Sequence, residues 1–260
     1  MPASVKSAQR VVEVFEFFAQ RRAPATLSQV ASALDYPSSS TFALLNTLRD
    51  LGYLDYEREQ RTYVPTVRAA LLGLWVNDAL LADGTVVRLM YQLRDETECT
   101  VTLGIQSGFQ VQYIHVVKGG PAAGVTQVVA GATRPLLRSA VGQVILALKP
   151  RAELRALVTR INAEDKSAPP VRFNELLAKL DECRERGYAY SEGVATPGSG
   201  TIAMLLAAPR HQPPMVLGLA TRIPTLRTNR ARYRDALLQV VKAHREHMEL
   251  LPQTFSAPRR

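Results

Sequence analysis

The chain has few of the residues and segments that mark secreted, disulfide-stabilised or membrane proteins. Only two of its 260 residues are cysteine, and Cys99 and Cys183 lie far apart with no partner motif. This spacing excludes a disulfide framework and a cysteine zinc site. No apolar run approaches the roughly 18 residues of a membrane span, and no secretory leader opens the chain. We therefore expect a cytoplasmic protein with no membrane partner.

Motifs of the common enzyme classes are also missing. The sequence contains no G-x-S-x-G elbow, no H-E-x-x-H pair and no Walker-type loop. His244 and His247 lie three residues apart on a predicted helix and could form a metal pair. Without a third ligand nearby, a solvated helix surface is the simpler interpretation. We expect no catalytic residue, no cofactor and no metal site, with esterase or acyltransferase chemistry as a runner-up.

Positive charge is spread unevenly along the chain. The formal net charge is +9, yet residues 1–75 hold eight Lys or Arg against seven Asp or Glu. Residues 222–260 hold nine basic and three acidic residues, a pattern typical of a solvated basic helix. The basic composition therefore does not by itself identify the N-terminal segment as a DNA-binding domain.

The first 65 residues predict three helices followed by a hairpin. Apolar residues at helical spacing indicate helices over residues 5–20 and 27–34. A third helix begins at the serines of "DYPSSSTFALLNTLRDLGY", residues 35–53, and ends at Gly52. The runs "YLDY" and "TYVP" flank the polar "EREQR" and predict two paired strands. This order is that of a winged helix-turn-helix.

Two interpretations of the third helix stay open from its own residues, because its first positive charge is Arg49. In one, short hydroxyl side chains, an aromatic ring and an amide face the bases of DNA; these residues are Ser38, Ser39, Ser40, Thr41, Phe42 and Asn46. Phe42 would then meet a thymine methyl group. In the other, the serines only cap a core helix. Candidates for phosphate contacts are Arg10, Arg21, Arg22 and Arg49, together with Arg58 and Arg61 at the predicted hairpin tip.

Beyond residue 66 the pattern predicts a linker followed by a mixed domain. An apolar helix runs to about residue 81 and another helix ends at Glu96. A hairpin around Ser107-Gly108 follows, then a helix capped by Ser139 and ended by Pro150. Two amphipathic helices, three strands and a long closing helix complete the chain. This order predicts an α+β sensor domain with one sheet and helices on its faces.

The order of these blocks resembles the IclR-type transcriptional regulators. Ser7 and Arg10 match an earlier family pattern, S-x-x-R-x-x-x-x-L. The pattern P-K-S-T-V-H-R-L-L-x-T-L-x-x-x-G-Y then aligns in register with Pro37, Ser38, Ser39, Leu44, Leu45, Thr47, Leu48, Gly52 and Tyr53. "RPLLRSAVGQVILALKP" is similar to the family segment L-P-L-H-A-T-A-x-G-K-A-x-L-A, and "RERGYAYSEGVATPGSGTIAMLLAAP" follows a later family block. The resemblance covers about residues 5–250.

This resemblance implies an α+β protein with three parts. They are a winged helix-turn-helix DNA-binding domain over residues 1–66, linker and dimerisation helices over 67–96, and a GAF-like effector-binding domain over 97–260. The implied partners are double-stranded promoter DNA, a small aromatic or short-chain organic acid, and a second copy in a homodimer or homotetramer. A small-molecule sensor without sequence-specific DNA binding is the rival hypothesis, because Ala43 stands where the family usually has a basic residue.

The resemblance also implies an effector pocket lined by small residues. The lining consists of the small residues Gly131, Ala132, Ser139, Thr201, Ala203, Gly218 and Ala220, together with the acidic Glu192. Such walls leave room for a small ligand. Arg138 is the nearby cation that could pair with a carboxylate, although a surface charge at a helix start is an equally good interpretation.

Overall fold

The structure is a computed structural model that describes residues 5–69, 85–124, 128–165, 168–194, 196–207 and 212–250, without the side chains of 122 and 247–250. The chain folds into two compact units, Met1–Ala82 and Asp83–Arg260. The apolar linker helix predicted over residues 66–81 lies mostly outside the described residues. No helix in the described ranges is long and apolar enough to cross a membrane.

The first unit combines three helices with a small antiparallel sheet. The helices are α1 (Lys6–Arg21), α2 (Leu27–Leu34) and α3 (Ser38–Asp50). The strands are β1 (Ala25–Thr26), β2 (Leu54–Glu57) and β3 (Thr62–Pro65), which pair in the order β1-β3-β2. The predicted helix-turn-helix with its hairpin is confirmed, and the sheet gains β1, which is too short to show a periodic pattern.

Local signals and a shared core fix the orientation of α3. Thr26 caps α2 through a capping box with Gln29, and Asp35 ends that helix in the left-handed conformation. Leu45 and Leu48 of α3 are buried in a cluster with residues of α1 and the sheet. Since these leucines hold one side of α3 in the core, its opposite side faces outward.

The second unit is built on a six-stranded antiparallel sheet in the order β6-β5-β4-β9-β8-β7. The strands are β4 (Thr100–Ser107), β5 (Gln110–Val117), β6 (Thr133–Pro135), β7 (Tyr188–Glu192), β8 (Ser199–Leu206) and β9 (Met215–Arg222). The predicted hairpin and the three later strands are therefore present. β6 and β7 form the two edges of the sheet.

Helices cover this sheet, as predicted. They are α4 (Thr85–Thr97), α5 (Ala140–Ala147), α6 (Arg151–Glu164), α7 (Phe173–Arg186) and α8 (Ile223–Leu250). Two residues of β8 whose side chains point to opposite faces show that both faces are covered. Gly200 lies against Leu226 of α8, whereas Ala203 lies in the core cluster with α5. The helix predicted to end the linker, α4, belongs to the second unit.

Helix α5 lies unusually close to the turn that precedes it. A Cβ atom at Gly142 would overlap the backbone carbonyl oxygen of Leu136. Gly142 is buried in the first turn of α5, so glycine is needed here for close approach and not for an unusual backbone angle. This contact fixes where the N-terminus of α5 meets the sheet.

We predict that Gly142→Ala destabilises the second unit by about 1–3 kcal/mol, because backbone must move to admit the methyl group. Helix propensity alone predicts the opposite sign, a gain of about 1 kcal/mol. Calorimetric unfolding of the full chain would measure the change. Ala147→Gly in the same helix is the control and should cost about 1 kcal/mol; a stabilised Gly142→Ala variant would contradict the packing argument.

Candidate functional site

The outward side of α3 carries both polar and apolar side chains, but no positively charged one before Arg49. Ser39, Phe42 and Ala43 are exposed there, at helical spacing. Phe42 keeps 53% of its surface exposed, so its ring is accessible to an outside apolar group. Arg49 is paired with Asp50 at 2.8 Å, and this hydrogen bond raises the pKa of Arg49. The positive charge of α3 is thus already balanced within the helix.

The N-terminus of α3 is not capped by a side chain. Its N-cap residue is Pro37, whose side chain has no acceptor, so the serines do not cap the helix in the manner considered above. The first amides of α3 therefore remain available to an outside acceptor. Arg10 stacks on Tyr36, two residues before α3 begins, with its guanidinium 4.6 Å from the ring centre. A helix N-terminus next to an arginine is a suitable site for a phosphate group.

Three of the predicted base-contacting residues are partly or wholly engaged inside the unit. Thr41 is only 1% exposed and donates its hydroxyl to the carbonyl of Pro37 at 3.0 Å, so it cannot reach DNA and that prediction is wrong. Ser40 donates to the same carbonyl. Asn46 is half-buried and accepts a long hydrogen bond from the Tyr63 hydroxyl at 3.4 Å. Ser38 and Ser39 are exposed, and their hydroxyls have no hydrogen-bond partner among the described residues.

The predicted phosphate-contacting arginines divide into two groups. Arg58 and Arg61 lie exposed at the turn between β2 and β3, and Arg61 has a left-handed φ of 53°. Arg21, by contrast, donates to the Pro24 carbonyl and to the Gln29 side chain, so it joins α1 to α2. Arg22 ends α1 in the left-handed conformation. Arg58 and Arg61 therefore remain the better candidates on the turn.

A small cavity lies in the second unit where the N-terminus of α5 meets the sheet. Seven of its twelve lining side chains carry a hydroxyl, and one is a cation. The lining residues are Thr102, Tyr113, Val128, Arg134, Ser139, Ala140, Ser191, Val194, Thr196, Ser199, Thr201 and Ala220. About 30 Å³ is open to the centre of a water molecule, which is room for about two waters.

Electrostatics favour an anion in this cavity. The Ser139 hydroxyl accepts from the Gly142 amide at 3.2 Å, and the Ser191 hydroxyl accepts from the Ala140 amide at 3.0 Å. Both hydroxyls are thereby fixed at the positive end of α5. The Arg134 guanidinium lies 5.3 Å from the ring centre of Tyr113. Burial raises the pKa of Tyr113, while Arg134 opposes that rise; the phenol thus stays neutral and can donate a hydrogen bond.

The predicted pocket is only partly assembled. Ser139, Thr201 and Ala220 line the cavity, but the other predicted residues lie elsewhere. Ala203 is fully buried in the core cluster. Gly218 lies below the cavity, where a Cβ would meet Thr102. Gly131 and Ala132 bond through their backbone to Tyr113.

The two charged residues predicted for the pocket point elsewhere. Glu192 forms a two-fold ion pair with Arg227, with oxygen–nitrogen distances of 3.0 and 2.6 Å, and so joins β7 to α8. Arg138 donates to the carbonyl of Pro169 and faces an outer groove. The prediction that Arg138 shares the pocket with Ser139 and Thr201 is therefore wrong. The cation in the cavity is Arg134, four residues earlier, which sequence reasoning missed.

The structure also corrects the histidine prediction. His244 is 3% exposed, and its Nε2 atom lies 3.0 Å from the Ala207 carbonyl, so it belongs to the interior and not to a solvated helix face. The side chain of His247 lies outside the described residues. The described part of the chain holds no group of three or more His, Cys, Asp or Glu residues that could bind a metal ion.

Both units match the same protein family. A sequence profile described as the C-terminal domain of the bacterial transcriptional regulator IclR matches residues 84–248. A profile of the IclR helix-turn-helix domain matches residues 7–58. These two matches separate at the same part of the chain as the two compact units.

Individual relatives agree with these matches. The chain is 24% identical to the HTH-type transcriptional regulator KdgR of Escherichia coli (strain K12) over 248 residues, which are 94% of this chain and 92% of KdgR. It is 25% identical to XynR of the same organism over 71% of this chain and 73% of XynR. In structure it is similar to an IclR regulator from Alicyclobacillus acidocaldarius, with a TM-score of 0.75, 21% identity, and coverage of 93% and 96% of the two chains. A Brucella abortus regulator gives a TM-score of 0.74, 21% identity, and coverage of 96% and 94%. These structures share the fold.

We predict that Glu192→Gln slightly lowers the melting temperature of the second unit near pH 7. The hydrogen bond from Arg227 lowers the pKa of Glu192. A carboxyl whose pKa is lower in the folded state adds stability above its unfolded pKa and loses it as the pH falls through the folded value. The difference from wild type should therefore vanish below about pH 4. Glu185→Gln, an exposed carboxylate of α7, is the control; equal pH profiles for both variants would contradict the role of the pair.

Proposed function

Because the chain belongs to the IclR family of DNA-binding transcriptional regulators, we propose that a small organic acid bound in the cavity beside α5 controls its binding to promoter DNA. The observation that carries this proposal is the cavity itself. It joins one arginine, several hydroxyl groups and a helix N-terminus in a single buried space. That arrangement suits a carboxylate.

For DNA, the exposed side of α3 supports a contact with base edges in the major groove. Ser39 offers a hydroxyl, and Phe42 offers an apolar surface suited to a thymine methyl. Arg10, the free amides at the start of α3, and the turn arginines Arg58 and Arg61 are placed to hold phosphates. Base readout and phosphate binding would thus use different residues.

The rival hypothesis was a sensor without sequence-specific DNA binding. It rested on the lack of a basic residue early in α3. The helix-turn-helix match over residues 7–58 favours the regulator. The uncapped start of α3, with Arg10 on the preceding Tyr36, also supports a phosphate contact. The regulator is therefore the better supported function.

For the acid, the cavity has to widen before a ligand enters. Its 30 Å³ admits about two waters and is too small for an aromatic or short-chain acid. Ligand binding would therefore select a more open form of the second unit. We propose that this form changes the arrangement of a homodimer or homotetramer, so that its two copies of α3 match or no longer match the half-site spacing.

We predict that Ser39→Ala and Phe42→Ala each reduce the preference for the operator over a single-base variant by about 1 kcal/mol, because a base contact is lost. Mobility shifts on the upstream intergenic DNA at about 50 and 200 mM salt would measure specific and non-specific binding separately. Thr41→Val is the matched control from the same helix. It should cost about 1 kcal/mol of stability and leave the preference unchanged. If neither exposed residue alters the preference, α3 does not read bases as proposed.

We also predict that Arg134→Gln makes the DNA complex respond about tenfold more weakly to the acid, since a charge-assisted contact to the carboxylate is removed. The response would be measured with a panel of small aromatic and short-chain carboxylates added to the operator complex. DNA binding without acid should stay normal. The control is Arg172→Gln, which changes an exposed arginine paired with Glu175. An Arg134→Gln protein that responds like wild type would exclude this arginine from the effector site.

A further inference from the structure

The second unit has a larger concavity outside the cavity described above, which we call the outer groove. It lies between β6 with the turn that follows it and residues of the ranges 161–165 and 168–171. Its volume is about 480 Å³, within the range of small-molecule sites in proteins. The inner cavity is far smaller in this structure. Size alone therefore makes the outer groove the better receptor for a ligand of benzene-ring dimensions.

An arginine lies in this groove at a place where helix stability does not favour it. Arg138 immediately precedes Ser139, the N-cap residue of α5, so its charge stands at the positive end of the helix dipole. Its Nη2 atom donates to the Pro169 carbonyl across the groove. Among the described residues this is the only hydrogen bond of its guanidinium, which leaves other N–H groups for an acceptor. Arg134 adds a second positive charge to the same wall.

Among the described residues, the two acids that line the groove form no ion pair with its two arginines. Glu164 is bound to Arg160 of the same helix at 2.9 Å. Asp165, which follows α6 as its C-cap residue, lies on the opposite wall and has interactions of its own. No described ion pair joins either acid to Arg134 or Arg138. A bound anion would therefore reduce the repulsion between two arginines and a helix N-terminus.

Apolar side chains supply the rest of the lining. Phe109, Ile161 and Val171 come from the β4–β5 turn, α6 and the segment before α7. Arg160 stacks on Phe109 with its guanidinium 4.8 Å from the ring centre, which holds this ring in place. An apolar surface beside cations is the environment that suits an aromatic carboxylate: the ring packs on the surface and the charged end meets the arginine.

We propose that the outer groove is a second ligand site, which binds an aromatic carboxylate through Arg138. This site is separate from the effector cavity of the proposed function. Arg134 lines both spaces, and so the two sites share one cation. A ligand in either space changes the charge that the other ligand meets, so the two binding events are coupled.

The test uses benzoate as the probe and methyl NMR of the full chain as the readout. Ile161 and Val171 report on the outer groove, whereas Val128 and Val194 report on the inner cavity. We expect benzoate to shift the signals of Ile161 and Val171 along a saturable curve. Arg138→Gln should weaken that binding about tenfold, because the ion pair with the carboxylate is lost. Benzyl alcohol, a neutral analogue of benzoate, should bind the wild-type protein about as weakly as benzoate binds Arg138→Gln.

The controls separate this proposal from the proposed function. Arg172→Gln, which changes a nearby exposed arginine, should bind benzoate as wild type does. An unchanged methyl spectrum of Arg138→Gln without ligand would show that the fold is intact. The proposal is overturned if Ile161 and Val171 do not respond, if Arg138→Gln binds equally well, or if benzyl alcohol matches benzoate. A response confined to Val128 and Val194 would support the inner cavity while excluding the outer groove.

Discussion

The hydrogen bond from the Ala140 amide to the Ser191 hydroxyl is the contact on which the second unit's site depends. It joins the start of α5 to the edge strand β7, which lies far from α5 in sequence. Together with the close approach of Gly142 to Leu136, it sets the first turn of α5 against the sheet. The positive end of the helix consequently opens into a small cavity lined by hydroxyls and Arg134, an environment that favours an anion.

The first unit uses the start of a helix in the opposite way. At α3 the N-cap residue is a proline, the first amides have no side-chain cap, and Arg10 stacks on the preceding tyrosine. One helix start is therefore buried, capped by serines and suited to a small carboxylate. The other is exposed, uncapped and suited to a phosphate of a polymer. The two helix starts thus differ in burial and in their N-cap residue, and these differences favour a different kind of anion at each.

The periodic spacing of apolar residues was sufficient to predict most helices and strands, but it predicted fewer of the residues that line the candidate sites. Helices such as α1 follow from spacing, because burial repeats about every 3.6 residues. Strand β8 follows instead from a short apolar run, since both of its faces are covered. The cavity collects residues from all six strands of the sheet, and no local pattern marks which ones meet. Arg134 and Arg138 look alike in sequence, yet Arg134 on β6 lines both the inner cavity and the outer groove, whereas Arg138 in the following turn lines the outer groove alone. Thr41 and His244 are polar but buried, which depends on tertiary packing that hydrophobic spacing does not reveal.

The pairing of Arg49 with Asp50 on α3 has a consequence for how the protein would find its operator among all other DNA. Non-specific affinity comes almost entirely from cations that displace counterions, and it acts at every one of the millions of competing sites. If α3 reads bases as proposed, its arginine, which is already paired with Asp50, adds little to that background. Contacts made through Ser39 and Phe42 would be gained only at the correct bases. Discrimination can then be strong even where total affinity is modest, so fewer copies of the protein are held at irrelevant DNA.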